Sequence, residues 1–160
     1  MMENLEKMKL LIQLLKNKEI QFENGLTNNE LIKVENEFGF KFPPDLQTLL
    51  CTELPISEGF VDWRKALTSR EYKKYPKLIP VFLHRYIPST PQETGNPVFS
   101  VYQMDIIYYG TDLATYFRNA FKLKLPDDLE FPKEVKHIRF WSEQTPVNYY
   151  HSASDGFAGL

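Results

Sequence analysis

Leu5, Met8, Ile12 and Leu15 recur at steps of three and four, laying one apolar stripe along a helix over about residues 3–17. Asn24-Gly25 breaks the chain. "LTNNEL" then predicts a helix start, with Thr27 as N-cap and Glu30 three residues later closing a capping box. Leu26 and Leu31 flank that start as a hydrophobic staple. Leu31, Val34, Glu35 and Phe38 ride on the helix, and Gly39 stops it. "FPPDLQTLLC" opens a third helix: Pro44 suits the first turn, and Leu46, Leu49 and Leu50 form the inner face. A loop runs through Pro55 and Gly59, and "SREYKKY" reads as a short helix that ends before Pro76.

The pattern then changes period. "KLIPVFLHRYI" reads as a strand with Pro80 at its start or on an edge, and "PSTPQETGNP" as a loop. "VFSVYQ" and "DIIYYG" read as two more strands, close enough for a meander. Thr111 is expected to cap a helix that begins at Asp112 and carries Leu113, Tyr116, Phe117 and Phe121. A connector with Pro126 and Pro132 leads to a last predicted helix, with Val135, Ile138 and Trp141 on one side. Helices first, strands in the middle and helices last is an α+β order. The expectation is a single domain over residues 1–160, with a central antiparallel sheet and helices over one face and at its ends.

Composition narrows the function. A chain of 160 residues with 42% apolar and 14% aromatic residues can bury a real core. A net charge of −2 gives no basic face for phosphate contacts, which argues against nucleic-acid binding. The N-terminus has scattered charges and no apolar core before a cleavage site, and no run is long enough for a membrane span. The expected location is the cytoplasm.

Candidate chemistry is sparse. Cys51 stands alone, so no internal disulfide and no Cys-based zinc site can form, and a buried inert thiol is expected. Nothing resembles GxGxxG or a P-loop, and Ser100 lacks the small-residue elbow of a hydrolase nucleophile. His84, His137 and His151 do not pair at metal-ligand spacing. The expectations are no catalytic turnover, no cofactor and no metal. One arrangement opposes this: His84 facing Asp105 across strands could act as a general base. The simpler alternative is a buried His satisfied by a neighbour in an aromatic sheet. "DWR" at 62–64 reads either as an N-capping Asp before a packed Trp or as a salt-bridged corner.

Several stretches together resemble the SUKH superfamily, the group that contains the yeast cell-wall-assembly regulator and many bacterial immunity proteins. They are "GLTNNELIKVENEFGFKFPPDLQTLL", "FVDWR", "KLIPVFLHRYIPS", "GNPVFSVYQMDIIYYGTDLATYF" and "IRFWSE", covering about residues 26–142. The central stretch looks like a subgroup from low-GC Gram-positive bacteria. The resemblance implies a small α+β domain that binds and neutralises a polymorphic toxin, often a nuclease, encoded by an adjacent gene. It implies no catalytic residues. Many relatives carry a Gly- and Asp-rich turn in the central strands where this chain has His84-Arg85-Tyr86 and a proline-rich loop, so the partners of those relatives do not transfer. A regulatory scaffold like the yeast member is a third reading. On the binding reading, polar and aromatic groups at strand ends form the partner face: Asp62, Arg85, Tyr86, Asp105, Tyr108 and Asp112. Carboxylates there would steer association with a basic toxin, and Tyr and Arg would anchor it.

Overall fold

A computed structural model describes residues 3–66, 78–102, 105–139 and 141–142, and the backbone but not the side chain of Asp105. The short helix expected from "SREYKKY" and the C-terminal tail lie outside the described residues.

The first half is helical. Helix α1 (Asn4–Lys16) buries Met8, Leu11, Ile12 and Leu15. Leu5 departs from the expected stripe, being 45% exposed. The buried row continues instead through Asn4, four residues before Met8, whose amide donates to Thr48 Oγ1 at 2.9 Å. Leu5 lies one step round the helix from that row. Strand β1 (Phe22–Asn24) follows. Helix α2 (Asn28–Phe38) starts on the expected capping box: Glu30 N donates to Thr27 Oγ1 at 3.3 Å, and Thr27 N donates to Glu30 Oε2 at 2.9 Å. Gly39 ends it at φ 72°, a left-handed conformation that favours glycine.

Helix α3 (Pro44–Thr52) begins as expected at Pro44 and buries Leu46, Leu49 and Leu50. It leads into β2 (Glu53–Pro55), which pairs antiparallel with β1. This small sheet was not expected, because each strand has three residues, too few to show alternation. Helix α4 (Trp63–Ala66) sets Trp63 at 2% exposure among Phe38, Phe40 and Phe42, with ring centroids 5.2–5.9 Å away.

The second half is an antiparallel meander in the order β3-β4-β5-β6, comprising β3 (Leu78–Phe82), β4 (Arg85–Pro88), β5 (Val98–Tyr102) and β6 (Asp105–Gly110). The fold is α+β, as expected. What read as one strand, "KLIPVFLHRYI", is a hairpin: Phe82 pairs with Arg85 and the chain turns at Leu83-His84. Leu83 sits at φ 49°, and its N–H donates to Gly59 O at 2.7 Å.

Helix α5 (Leu113–Phe121) packs on β6 and buries Leu113, Ala114, Tyr116 and Phe117. Its cap is Asp112 rather than Thr111: the Asp112 carboxylate accepts from Thr115 N at 2.7 Å. The last predicted helix does not form over residues 133–139, which run as bends, irregular chain and a turn. Ile138 is buried all the same, and Ser142 Oγ accepts its N–H at 2.8 Å.

Strand register separates two faces. Arg85, Ser100 and Ile107 form one row across β4, β5 and β6, while Tyr86, Phe99 and Tyr108 form the next row on the opposite face. The first row faces the helices, since the Arg85 guanidinium lies over Tyr109, whose ring is 6.2 Å from Tyr116 of α5. The second faces the C-terminal segment: Tyr108 Oη donates to Ser142 Oγ, and Phe99, 5.0 Å from the Tyr108 ring, is fully buried. Lys136 ties that segment to the β4–β5 loop through Glu93, Thr94 O and Asn96.

Candidate functional site

Of the six residues expected at a partner face, the five with described side chains do not form one surface. Asp62 caps α4: its Oδ1 accepts from Arg64 N at 3.1 Å and from Lys65 N at 3.3 Å. Both structural readings of "DWR" hold, since Trp63 is packed and Arg64 is ion-paired to Glu30. Asp112 is 6% exposed, caps α5 and pairs with Lys7 of α1 at 3.6 Å. A carboxylate so placed holds α1 against α5 and is shielded from a partner. Tyr86 and Tyr108 lie on the face opposite Arg85. Asp105 pairs with Tyr102 in register, at the end of the sheet that also holds the β3–β4 turn. Its side chain lies outside the described residues, and with it the His84–Asp105 pairing.

What the fold does bring together is a cluster at that sheet end. The His84 ring sits 5.2 Å from the Tyr102 ring, and His84 O accepts from Val101 N at 3.0 Å. His84 is half-buried. Burial, and then the charge of Arg85, push its imidazole below the usual value. It is therefore neutral at pH 7, and Arg85 carries the local positive charge.

Arg85 is half-buried beside it. Its guanidinium stacks 3.8 Å above the Tyr109 ring centroid, and its Nη1 donates to Ser100 Oγ at 3.0 Å. No carboxylate among the described residues pairs with it. Leu83 and Tyr102 flank the cluster and are each 58% exposed.

Leu83 and Tyr102 were not among the expected partner residues. Tyr102 gave a weak signal as the last residue of a strand, at the end of the sheet. Leu83 gave none, because a leucine at a hairpin tip has no turn signature.

Two further titratable groups lie elsewhere. Asp45, 3% exposed, accepts from Leu46 N at 2.9 Å and from Gly95 N at 3.2 Å. Burial raises its carboxyl above the usual range, more than those hydrogen bonds lower it. Cys51 is half-buried rather than buried, and desolvation, then Glu35, raises its thiol, so it is a poor nucleophile. Among the described residues no group of three His, Cys, Asp or Glu side chains is placed to hold a metal ion. No helix among them is long and apolar enough to cross a membrane.

Compared with protein-family models, with curated proteins and with solved structures, the chain matches none.

Proposed function

We propose that this chain is a protein-binding module, and that it acts in the cytoplasm as an immunity protein that neutralises a toxin encoded by an adjacent gene. The immunity reading rests on the resemblance to SUKH proteins in the segments quoted above. The observation that carries the binding reading is the sheet end where Leu83 and Tyr102 stay 58% exposed on either side of His84 and Arg85. Large apolar groups in water are unfavourable unless something covers them, and Tyr and Arg are enriched among interface anchors.

The test is co-expression and calorimetric titration with the product of the adjacent reading frame. Binding with a dissociation constant below about 1 μM, together with rescue of growth, supports the proposal. Absence of binding by a correctly folded chain overturns the immunity reading. Binding that survives both Leu83→Asn and Tyr102→Ala unchanged places the interface elsewhere.

A further inference from the structure

Arg85 is held in place by two contacts that leave most of its hydrogen-bonding capacity unused. A guanidinium has five N–H donors in one plane. One goes to Ser100 Oγ, and the flat face rests on Tyr109. Neither contact neutralises the charge. Several other cations of this fold do sit beside an acid: Lys7 with Asp112, Lys16 with Glu53, Lys41 with Glu35, Arg64 with Glu30, Lys136 with Glu93. A half-buried charge is partly dehydrated, so an arginine fixed in one orientation with no acid among the described residues is set up to receive one. The stacking on Tyr109 immobilises the planar group and so lowers the entropy lost on binding.

The surroundings define the rest of the ligand. Tyr102 and Leu83 offer apolar area, and the neutral His84 packed against Tyr102 adds a polar atom without competing charge. The backbone also supports a role in recognition. Leu83 occupies the left-handed region at φ 49° while its side chain remains in water. A bulky residue is strained there, and a side chain this exposed buries little apolar area to offset the strain.

We infer that Arg85 is the anchor for a carboxylate side chain, Asp or Glu, presented by a protein partner next to an apolar residue that covers Leu83 and Tyr102. This deepens the binding reading proposed above and rests on it. It also reverses the sign expected at the centre of the face, where carboxylates of this chain were to meet a basic partner. Here the partner supplies the acid.

Selection from a random peptide library on the immobilised full chain tests this without the adjacent gene product, so its outcome is separate from that of the immunity reading. Peptides enriched in Asp or Glu beside an aromatic or aliphatic residue are expected. Their affinity should fall at least tenfold for Arg85→Gln and by a smaller factor for Arg85→Lys, which keeps charge but loses the planar fork. Tyr102→Ala and Leu83→Asn, at exposed positions, should also weaken binding; they keep the test decisive if Arg85→Gln disturbs the fold. Peptides without acidic enrichment, or no enriched peptides, overturn the inference. So does equal affinity for all these variants. A rise in melting temperature with inorganic phosphate that requires Arg85, without acidic-peptide binding, also overturns it and makes phosphate the ligand.

Discussion

Arg64 holds Glu30 with two nitrogens, Nε on Oε1 at 2.7 Å and Nη2 on Oε2 at 3.1 Å, while Glu30 also closes the capping box of α2. One carboxylate thus secures a helix start and fastens α4 to it. Arg64 extends the link to β1 through Glu23 at 3.7 Å and to the residue after that strand through Gly25 O at 2.9 Å.

This pair predicts an acid-sensitive term. The Arg64 hydrogen bonds, then that from Thr27, hold the Glu30 carboxyl at about 2 against 4.5 when free. A depressed carboxyl contributes its full stabilisation above about pH 4.5 and loses it as pH falls through about 2. Glu30→Gln is expected to lower stability by about 1–2 kcal/mol at pH 7, allowing for solvent screening of a partly exposed pair. The deficit should shrink as pH falls below 4.5. Urea midpoints of parent and variant between pH 7 and pH 2 measure this. A pH-independent deficit would show that Glu30 acts through packing alone.

Local signals were legible where the chain satisfies itself locally. The capping box needs only Thr27 and Glu30 three residues apart, and the stop at Gly39 needs only glycine's left-handed freedom. The aromatic strands β5 and β6 were legible for the same reason. The β3–β4 turn was not: Leu83 turns left-handed against a carbonyl 24 residues earlier, Gly59 O. The last helix failed because a spacing of three among Val135, Ile138 and Trp141 also suits a segment laid over a sheet, where Ser142 meets Tyr108. The expected partner residues were chosen by type and by their place at strand ends. Charge and aromaticity do not distinguish a carboxylate that caps a helix, as Asp62 and Asp112 do, from one that faces a partner.

Leu83→Asn should make the free chain more stable. Asparagine tolerates the left-handed region better than leucine, and the backbone bond to Gly59 O is kept. A gain of about 0.5–1 kcal/mol in chemical denaturation is expected. The same variant should bind partner peptides less well. A loss of stability would mean that the Leu83 side chain packs usefully despite its exposure.

Gly25 permits a close backbone approach. A Cβ at this position would lie 2.0 Å from Cys51 O and 2.3 Å from its carbonyl carbon, where Leu26 N bonds Leu50 O at 2.8 Å. Neither atom is the free end of a side chain, so β1 and α3 must separate to make room. Gly25→Ala is expected to cost about 3 kcal/mol or more, read as a fall in melting temperature or as insoluble expression. Gly39→Ala, with no atom within 4 Å but φ 72°, should cost only about 1 kcal/mol. Similar losses at the two sites would contradict the close approach at Gly25.

Tyr108→Phe tests whether the C-terminal segment is fastened to the outer face of the sheet. The phenol bonds Ser142 Oγ, which in turn accepts the N–H of buried Ile138. Losing the hydroxyl should cost about 1 kcal/mol. It should also speed hydrogen exchange at Ile138 and Ser142 while amides in β4 stay protected. Unchanged exchange at both positions would show that burial of Ile138 alone holds the segment.

Asp45 should oppose Glu30 in its pH dependence. Its carboxyl is buried under the β4–β5 loop, held to Gly95 N and Leu46 N, with Asp112 near enough to add repulsion. Desolvation is the largest influence and raises it above the ordinary 3.8. The folded chain therefore takes up a proton there more readily than the unfolded chain. Protonated Asp45 suits the fold, so its contribution is most favourable below about pH 3.8 and is lost as pH rises through the higher folded value. Asp45→Asn keeps an acceptor for the loop N–H and removes the buried charge. At pH 7 it should be neutral or stabilising, within about 1 kcal/mol, whereas Asp45→Ala, which orphans Gly95 N, should cost about 1–2 kcal/mol. Denaturant midpoints for the two variants at pH 7 and pH 4 separate these effects. If Asp45→Asn is as damaging as Asp45→Ala at both, the negative charge itself holds the loop, and the site favours the ionised form despite its burial.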